Sequence, residues 1–348
     1  MSRTLTSREI VRRAIHFQGP PRLPVNFGCF GVTDFAWLPR PGTPEEEALM
    51  ADRVDLWGCQ WAKTEVVNMG QVKGHPLASP DDLAHLRVPD YTDERRYIGA
   101  AEALAMAEAQ GLYMTAGIFM VLGERLQALV GFENVFLALA DEEARPAMGR
   151  LADIVTDTHV TLVRETTRRF PGRVHGWGMS DDWGTQQAAY VSLDMWMEFF
   201  YPRYKRIFDA IHDAGCDAWV HSCGKINEII EGYIRAGVDV VNVQQPRCLG
   251  IEEIGRRYRG RIAFETLADI QHTLPTGDMA AIEADAAAIG KHWADKRGGL
   301  VFSDYGDGQA IGVPGLEPKR IMYEAFSRLS EKLYGEPLPK PAEQGAVC

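Results

Sequence analysis

His221 and Cys223 stand two residues apart at the end of an apolar run, in AWVHSCGKINEII (218–230). An imidazole and a thiol are both good ligands for a borderline-soft divalent ion, and both can serve in acid–base or nucleophilic chemistry. A helical pattern begins directly after them. A helix N-terminus at that point favours a thiolate. A second group lies in SDDWGTQQ (180–187), where Asp181 and Asp182 are adjacent carboxylates. Placed over a pocket, Asp182 and Gln186 can bind substrate hydroxyls or act as acid or base, while Asp181 can instead cap the next helix. Glu65 closes another apolar stretch and joins the catalytic candidates.

These residues need elements to bring them together. Short apolar or β-branched runs over 24–27, 59–64, 112–116, 174–179, 217–221, 238–243, 261–266 and 299–304 predict eight strands, most followed by a helical pattern. Such alternation predicts a parallel sheet covered by helices, and eight units close into a (β/α)₈ TIM barrel, an α/β fold. A doubly wound open sheet competes, but no GxGxxG follows the first strand. Barrel chemistry gathers at strand C-termini, so the mouth should hold Glu65, Asp181, Asp182, His221, Cys223 and Gln244. Cys29, Gln245, Glu265, Asp269, Asp304, Tyr305 and Asp307 end or follow strands in the same way. Cys216 begins the strand that His221 ends, roughly 16 Å away at ~3.3 Å per residue, and belongs to the opposite end. Capping boxes at Thr6/Glu9 and Thr43/Glu46, the latter with Pro44, mark two helix starts. Helices are also predicted from 193 to about 213 and after Cys223, with Gly237 closing the latter.

The whole chain carries a formal charge of −11, which argues against a nucleic-acid or anionic-membrane partner. No run has transmembrane length, and the first residues lack a signal-peptide core. Six scattered cysteines without CxxC spacing predict reduced thiols and a cytoplasmic location. One barrel domain over 1–334, with an N-terminal helical extension, and a flexible Pro-rich tail over 335–348 are expected.

HSCGKINEIIEGYIRAGVDVVNVQQ resembles the core motif of the uroporphyrinogen decarboxylase superfamily, above all its cobalamin-dependent methyltransferase branch. DRVDLWGCQWAK followed by HPL, GERLQALVGFENV, the stretch from SDDWGTQQ to residue 215, LPTGD and GGLVFSDYG extend the likeness over about 5–330. The resemblance implies the same (β/α)₈ barrel. It implies zinc at His221 and Cys223, with the family's Glu position falling on Gln244 or Gln245. The late cysteine is missing from FSDYGDGQ, which leaves Asp304 or Asp307 as a late ligand. It also implies a corrinoid carried by a partner protein. The arginine-rich segment of true uroporphyrinogen decarboxylases is replaced by NFGCFGVTDFAW, which argues against a polycarboxylated tetrapyrrole.

The expectation is therefore a methyltransferase for a small methylated compound, with metal ligands among His221, Cys223, Asp304 and Gln244. Asp182, Asp181, Gln186 and Glu65 are its catalytic candidates. A decarboxylase and a non-catalytic binding barrel are the alternatives, and a homodimer is one option for its assembly.

Overall fold

The computed structural model describes residues 4–39, 42–64 and 70–341. Its main sheet contains β1 (Val25–Phe27), β2 (Val32–Thr33), β3 (Phe35–Trp37), β6 (Tyr113–Ile118), β7 (Gly176–Ser180), β8 (Asp217–His221), β9 (Val240–Val243), β10 (Ala263–Thr266) and β11 (Leu300–Ser303). The order is β2-β1-β11-β10-β9-β8-β7-β6-β3, and every pairing is parallel except β1 with the short β2. Eight parallel strands thus wrap into a nearly closed barrel, as expected. The helices are α1 (Ser7–Ile15), α2 (Pro44–Ala51), α3 (Ala100–Ala109), α4 (Gly123–Val130), α5 (Phe132–Ala140), α6 (Arg145–Arg169), α7 (Leu193–Met195), α8 (Tyr201–Asp213), α9 (Ile229–Ala236), α10 (Pro246–Leu249), α11 (Ile251–Tyr258), α12 (Met279–His292) and α13 (Glu317–Tyr334).

One predicted strand sits elsewhere. Residues 59–64 contribute β4 (Gln60–Ala62), which pairs antiparallel with β5 (Gln71–Gly74) in a separate two-stranded sheet. A barrel stave must be covered on both faces. β4 has an exposed Gln60 and only half-buried Trp61 and Ala62, whereas the first four residues of β8 are buried. The second stave is the three-residue β3, too short to announce itself as a period.

The seam between β1 and β3 is closed by Asp34 rather than by a ladder. Its backbone N–H donates to Val25 O (2.7 Å), and its carbonyl accepts from Tyr113 N (2.8 Å). Its buried carboxylate receives both terminal nitrogens of Arg22 (2.7 and 2.6 Å), the Ser7 hydroxyl (2.6 Å) and Val25 N (2.9 Å). A bidentate, hydrogen-bonded pair of this kind offsets the desolvation of two buried charges.

Inside the barrel, Phe35, Tyr113, Trp219, Val240, Ala263 and Val301 pack together, and Val11 and Ile15 of α1 plug them from the N-terminal end. The capping boxes of α1 and α2 form as the sequence predicts, and Gly237 closes α9 in the left-handed region (φ 104°). The helix predicted from 193 is real but not uniform, because a π-helical turn at Trp196–Phe200 separates α7 from α8. Cys59, Cys216, Cys223 and Cys248 are free thiols, in line with the expectation for these four. Among the described residues, no helix is long and apolar enough to cross a membrane.

Two histidines tie helices to the barrel's N-terminal end. His16 Nε2 meets Asp217 Oδ1 and His212 Nε2 meets Asp239 Oδ2, each at 2.8 Å. The facing carboxylates raise both imidazoles above their ordinary pKa against the opposing effect of burial. The folded state thus holds these protons more tightly than the unfolded chain does. The stabilisation is complete below about pH 6.5 and fades as pH rises through the folded-state values. His16→Gln should therefore cost more stability at pH 5.5 than at pH 9, by on the order of 1 kcal/mol. Urea melts of both proteins at the two pH values check this, and an equal cost at both would refute it.

Candidate functional site

Asp181 and Asp182 leave β7 together and take opposite roles. Asp181 is fully buried. Its Oδ2 accepts from Leu122 N (3.1 Å) and Gly123 N (2.7 Å), its Oδ1 from Glu124 N (2.6 Å), and the Tyr204 hydroxyl donates to Oδ2 as well. The first N–H groups of α4 have no partner in their own helix, and Asp181 supplies one. Burial pushes its carboxyl up while these hydrogen bonds favour the anion. Asp181 was expected at the catalytic surface. With its oxygens engaged and no exposure, it is instead the post on which the loop stands.

Asp182 turns the other way. Its Oδ1 accepts from Cys223 N at 2.7 Å and lies 3.6 Å from His221 Nε2. The Cys223 sulfur is 3.4 Å from the same His221 nitrogen. These three ligand atoms all fall within 4.8 Å of one another. A tetrahedral ion with bonds of about 2.0–2.3 Å has edges of about 3.3–3.7 Å, so both separations to the imidazole match a Zn²⁺ shell. Burial and the Asp182 charge hold the Cys223 thiol well above its ordinary pKa. Without a cation, it stays protonated.

The next layer fixes the imidazole. His221 Nδ1 is 2.7 Å from Asn242 Oδ1. An amide oxygen only accepts, so Nδ1 carries the proton and Nε2 offers its lone pair towards Cys223 and Asp182. The Asn242 amide in turn supports Glu265, which Asn26 Nδ2 also reaches at 3.3 Å, and burial raises the Glu265 carboxyl. Neither Asn242 nor Asn26 carried a sequence signal: an asparagine inside a strand looks the same whether it faces a histidine or a helix.

The remaining candidates divide. His221, Gln244 and Asp304 line a cavity of about 360 Å³ at the mouth, with Asn26, Trp37 and Phe119 among its other walls. Asp304 was expected as a late ligand, but it is not part of the three-donor cluster. Its Oδ2 is held by the buried Lys319 ammonium at 3.0 Å, and burial lifts its pKa to about 6. Asp307 is spent in a turn, accepting from Gln309 N and Ala310 N. Gln245 pins the loops, its Oε1 accepting from Gly224 N (2.9 Å) and from the exposed Gln186 (3.3 Å). Glu65 lies outside the described residues. Glu124 is a residue that sequence reasoning passed over: it is largely buried beside Asp182, and burial with the two aspartates holds its carboxyl far above the ordinary range. Trp37 is another. Its ring sits where Gly117 and Gly178 leave room, and it lines the cavity while remaining 56% exposed.

The two loops that carry the donors cross at a pair of glycines. A Cβ on Gly184 would sit 2.6 Å from Lys225 N, and one on Gly224 would overlap the Gly184 carbonyl. Lys225 N donates to Thr185 O at 2.7 Å across the same crossing. Gly224 also takes φ +79°, where a side chain is strained.

No protein-family model and no curated protein matches the chain. Solved structures do. A methyltransferase from Methanosarcina mazei superposes with a TM-score of 0.66 at 16% identity, covering 93% of this chain and 99% of that one. Xylanase 10B from Thermotoga petrophila RKU-1 gives 0.40 at 13% identity, over 87% and 86%. D-psicose 3-epimerase gives 0.37 at 13% identity, over 68% and 83%. What the likeness to the methyltransferase shows, at 16% identity, is a shared fold: the chain is a (β/α)₈ barrel.

Proposed function

We propose that this chain is a methyltransferase for a small methylated compound, and that His221, Cys223 and Asp182 hold one zinc ion at the barrel mouth. The observation that carries the reading is the convergence of imidazole, thiol and carboxylate within 4.8 Å, both separations to the imidazole matching a tetrahedral edge, with the imidazole tautomer set by Asn242. The match in fold to a methyltransferase over nearly the whole of both chains supports the same choice. Three protein donors leave a fourth position for a substrate atom, the pattern of a catalytic rather than a structural site.

When bound, zinc would lower the pKa of a ligating thiol and act as a Lewis acid on the methylated heteroatom. The chain's own residues do the rest. Asp182 holds Cys223 by its backbone N–H, and Asn242 keeps His221 in register. Trp37 and Phe119 give the substrate apolar walls beside that position. A corrinoid on a separate protein would be the methyl carrier in this reading. Asp304 and Gln244 border the substrate space instead of completing the metal shell.

Zinc should co-purify near one equivalent with untagged protein. Cys223→Ser and Asp182→Asn should weaken it by about 100-fold or more, and Asn242→Ala by about 10–100-fold. Metal analysis with a competing chelator measures this. Substoichiometric zinc that falls no further in Cys223→Ser would make the pair structural.

With cob(I)alamin supplied as acceptor, and small methyl ethers and methylamines as donors, methylcobalamin should form at its own absorbance, and Asp182→Asn should abolish it. A panel with no turnover in zinc-loaded protein would count against methyl transfer while leaving the metal site standing.

Among the described residues that line the mouth cavity, none is Arg or Lys. Burying several unpaired carboxylates there is costly, so uroporphyrinogen should not be turned over. Coproporphyrinogen appearing at an enzyme-like rate would reverse this and favour the decarboxylase reading.

A further inference from the structure

The end of the barrel opposite the mouth carries a groove of about 640 Å³ between α1, the turn before β6 and the residues leading into β7. Three arginines of α1 line it, Arg8, Arg12 and Arg13, together with Glu9, Glu108 and His175. The helix is pinned here, because Arg8 N donates to Gly111 O at 2.9 Å. Arg8 and Arg12 stand one turn apart on the same helix face.

Both carboxylates are already engaged. Glu9 accepts from Thr6 N (2.8 Å) and the Thr6 hydroxyl (2.9 Å) in the capping box. Glu108 takes Arg173 through Nε (2.6 Å) and Nη2 (3.0 Å). The three arginines are not matched in this way. Among the described residues, the guanidinium groups of Arg8 and Arg13 have no hydrogen bond or ion pair. Arg12 Nε stands 4.0 Å from Asp217, a carboxylate that His16 (2.8 Å) and the Tyr113 hydroxyl (2.6 Å) already hold. On a chain of net charge −11, this groove is a local excess of positive charge.

His175 supplies the directional group. It is only 7% exposed, and its Nδ1 accepts from Met114 N at 2.9 Å, so the proton sits on Nε2. Burial and the Arg8 and Arg12 charges push its pKa down to about 4, which leaves the ring neutral with that single proton. The Nε2–H has no partner in the protein, yet it is not sealed in: it opens on the groove. The fold uses the other side of the ring, through Nδ1 and through contact with Tyr113 at 5.6 Å between centroids. The outward donor is surplus to that role. A cation would meet three guanidinium groups here, and an apolar molecule would strip water from them. An anion meets donors only.

We propose that this groove binds a small molecule with an oxyanion head, phosphate or carboxylate, whose oxygens accept from His175 Nε2 and pair with Arg8, Arg12 and Arg13. The assignment does not depend on the metal centre or on methyl transfer. His175 and Asp182 bracket β7, and at ~3.3 Å per residue they lie roughly 20 Å apart.

Inorganic phosphate and malonate are the probes, titrated by calorimetry at constant ionic strength. At least one should bind the wild-type protein, and which one binds identifies the head group. The double variant Arg8→Gln/Arg13→Gln changes exposed side chains only and should weaken binding at least about tenfold. His175→Asn keeps an acceptor for Met114 N but offers no donor at the Nε2 position, and should weaken binding by about threefold to tenfold. Arg320→Gln/Arg328→Gln, with the same change in net charge on α13, should bind as the wild type does.

Failure of both probes to bind the wild type would overturn the assignment. Binding unchanged in the α1 double variant would place the anion elsewhere, the mouth included, and an equal loss in the α13 control would reduce the effect to net charge. Affinity unchanged in His175→Asn would make the imidazole a bystander and refute the site as drawn. If His175→Asn does not fold, the comparison of the two arginine double variants decides the question.

Discussion

The candidate site depends on a carboxylate that never meets a ligand. Asp181 holds three successive backbone N–H groups at the start of α4 and the Tyr204 hydroxyl from α8, so two outer helices and the end of β7 share one anchor. With Asp181 turned to α4, the next residue, Asp182, faces the end of β8. There it takes the Cys223 N–H and stands beside the imidazole. A buried anion is stable only with its hydrogen bonds complete, and α4 has unpaired donors at its first turn. Each satisfies the other.

That division of labour explains what could be read in the sequence and what could not. The alternation of strands and helices is a property of burial along each segment, and seven of the eight predicted staves fall where the apolar runs lie. The exception, 59–64, has the composition of a strand, but its burial belongs to a two-stranded sheet. His221 and Cys223 were legible because a histidine and a cysteine at a strand end are uncommon and their chemistry is specific. Asp304, expected as a late ligand, stands outside the cluster of His221, Cys223 and Asp182, and its Oδ2 is held by Lys319 from a helix further on. Which of two adjacent aspartates faces inward depends on the direction of one peptide, and residue types do not encode that. The supporting asparagines were hidden for the same reason, because their meaning lies in partners distant along the chain.

The site also separates hard and soft work in space. Cys223, His221 and Asp182 offer atoms within 4.8 Å of one another, and of the three His221 lines the cavity. The floor of the cavity carries amides and acids that are paired among themselves, such as Asn26, Asn242 and Glu265. Trp219 and Phe35 belong both to the barrel's inner packing and to the cavity lining. The cavity therefore rests directly on the α1 plug, and its shape is set by packing at the far end of the barrel. A change in that packing would be felt at the mouth without touching any polar group.

The crossing of Gly184 and Gly224 has a consequence for the lineage of such a chain. Side chains on these loops can be exchanged one at a time, so long as the loops that bear them keep their places. The crossing cannot be traded that way, because either glycine gaining a side chain pushes its loop off the other. Divergent descendants would then alter the side chains these loops carry more freely than they alter this knot of backbone. Two glycines 40 positions apart, neither of them a reacting group, would be the more durable mark of common ancestry.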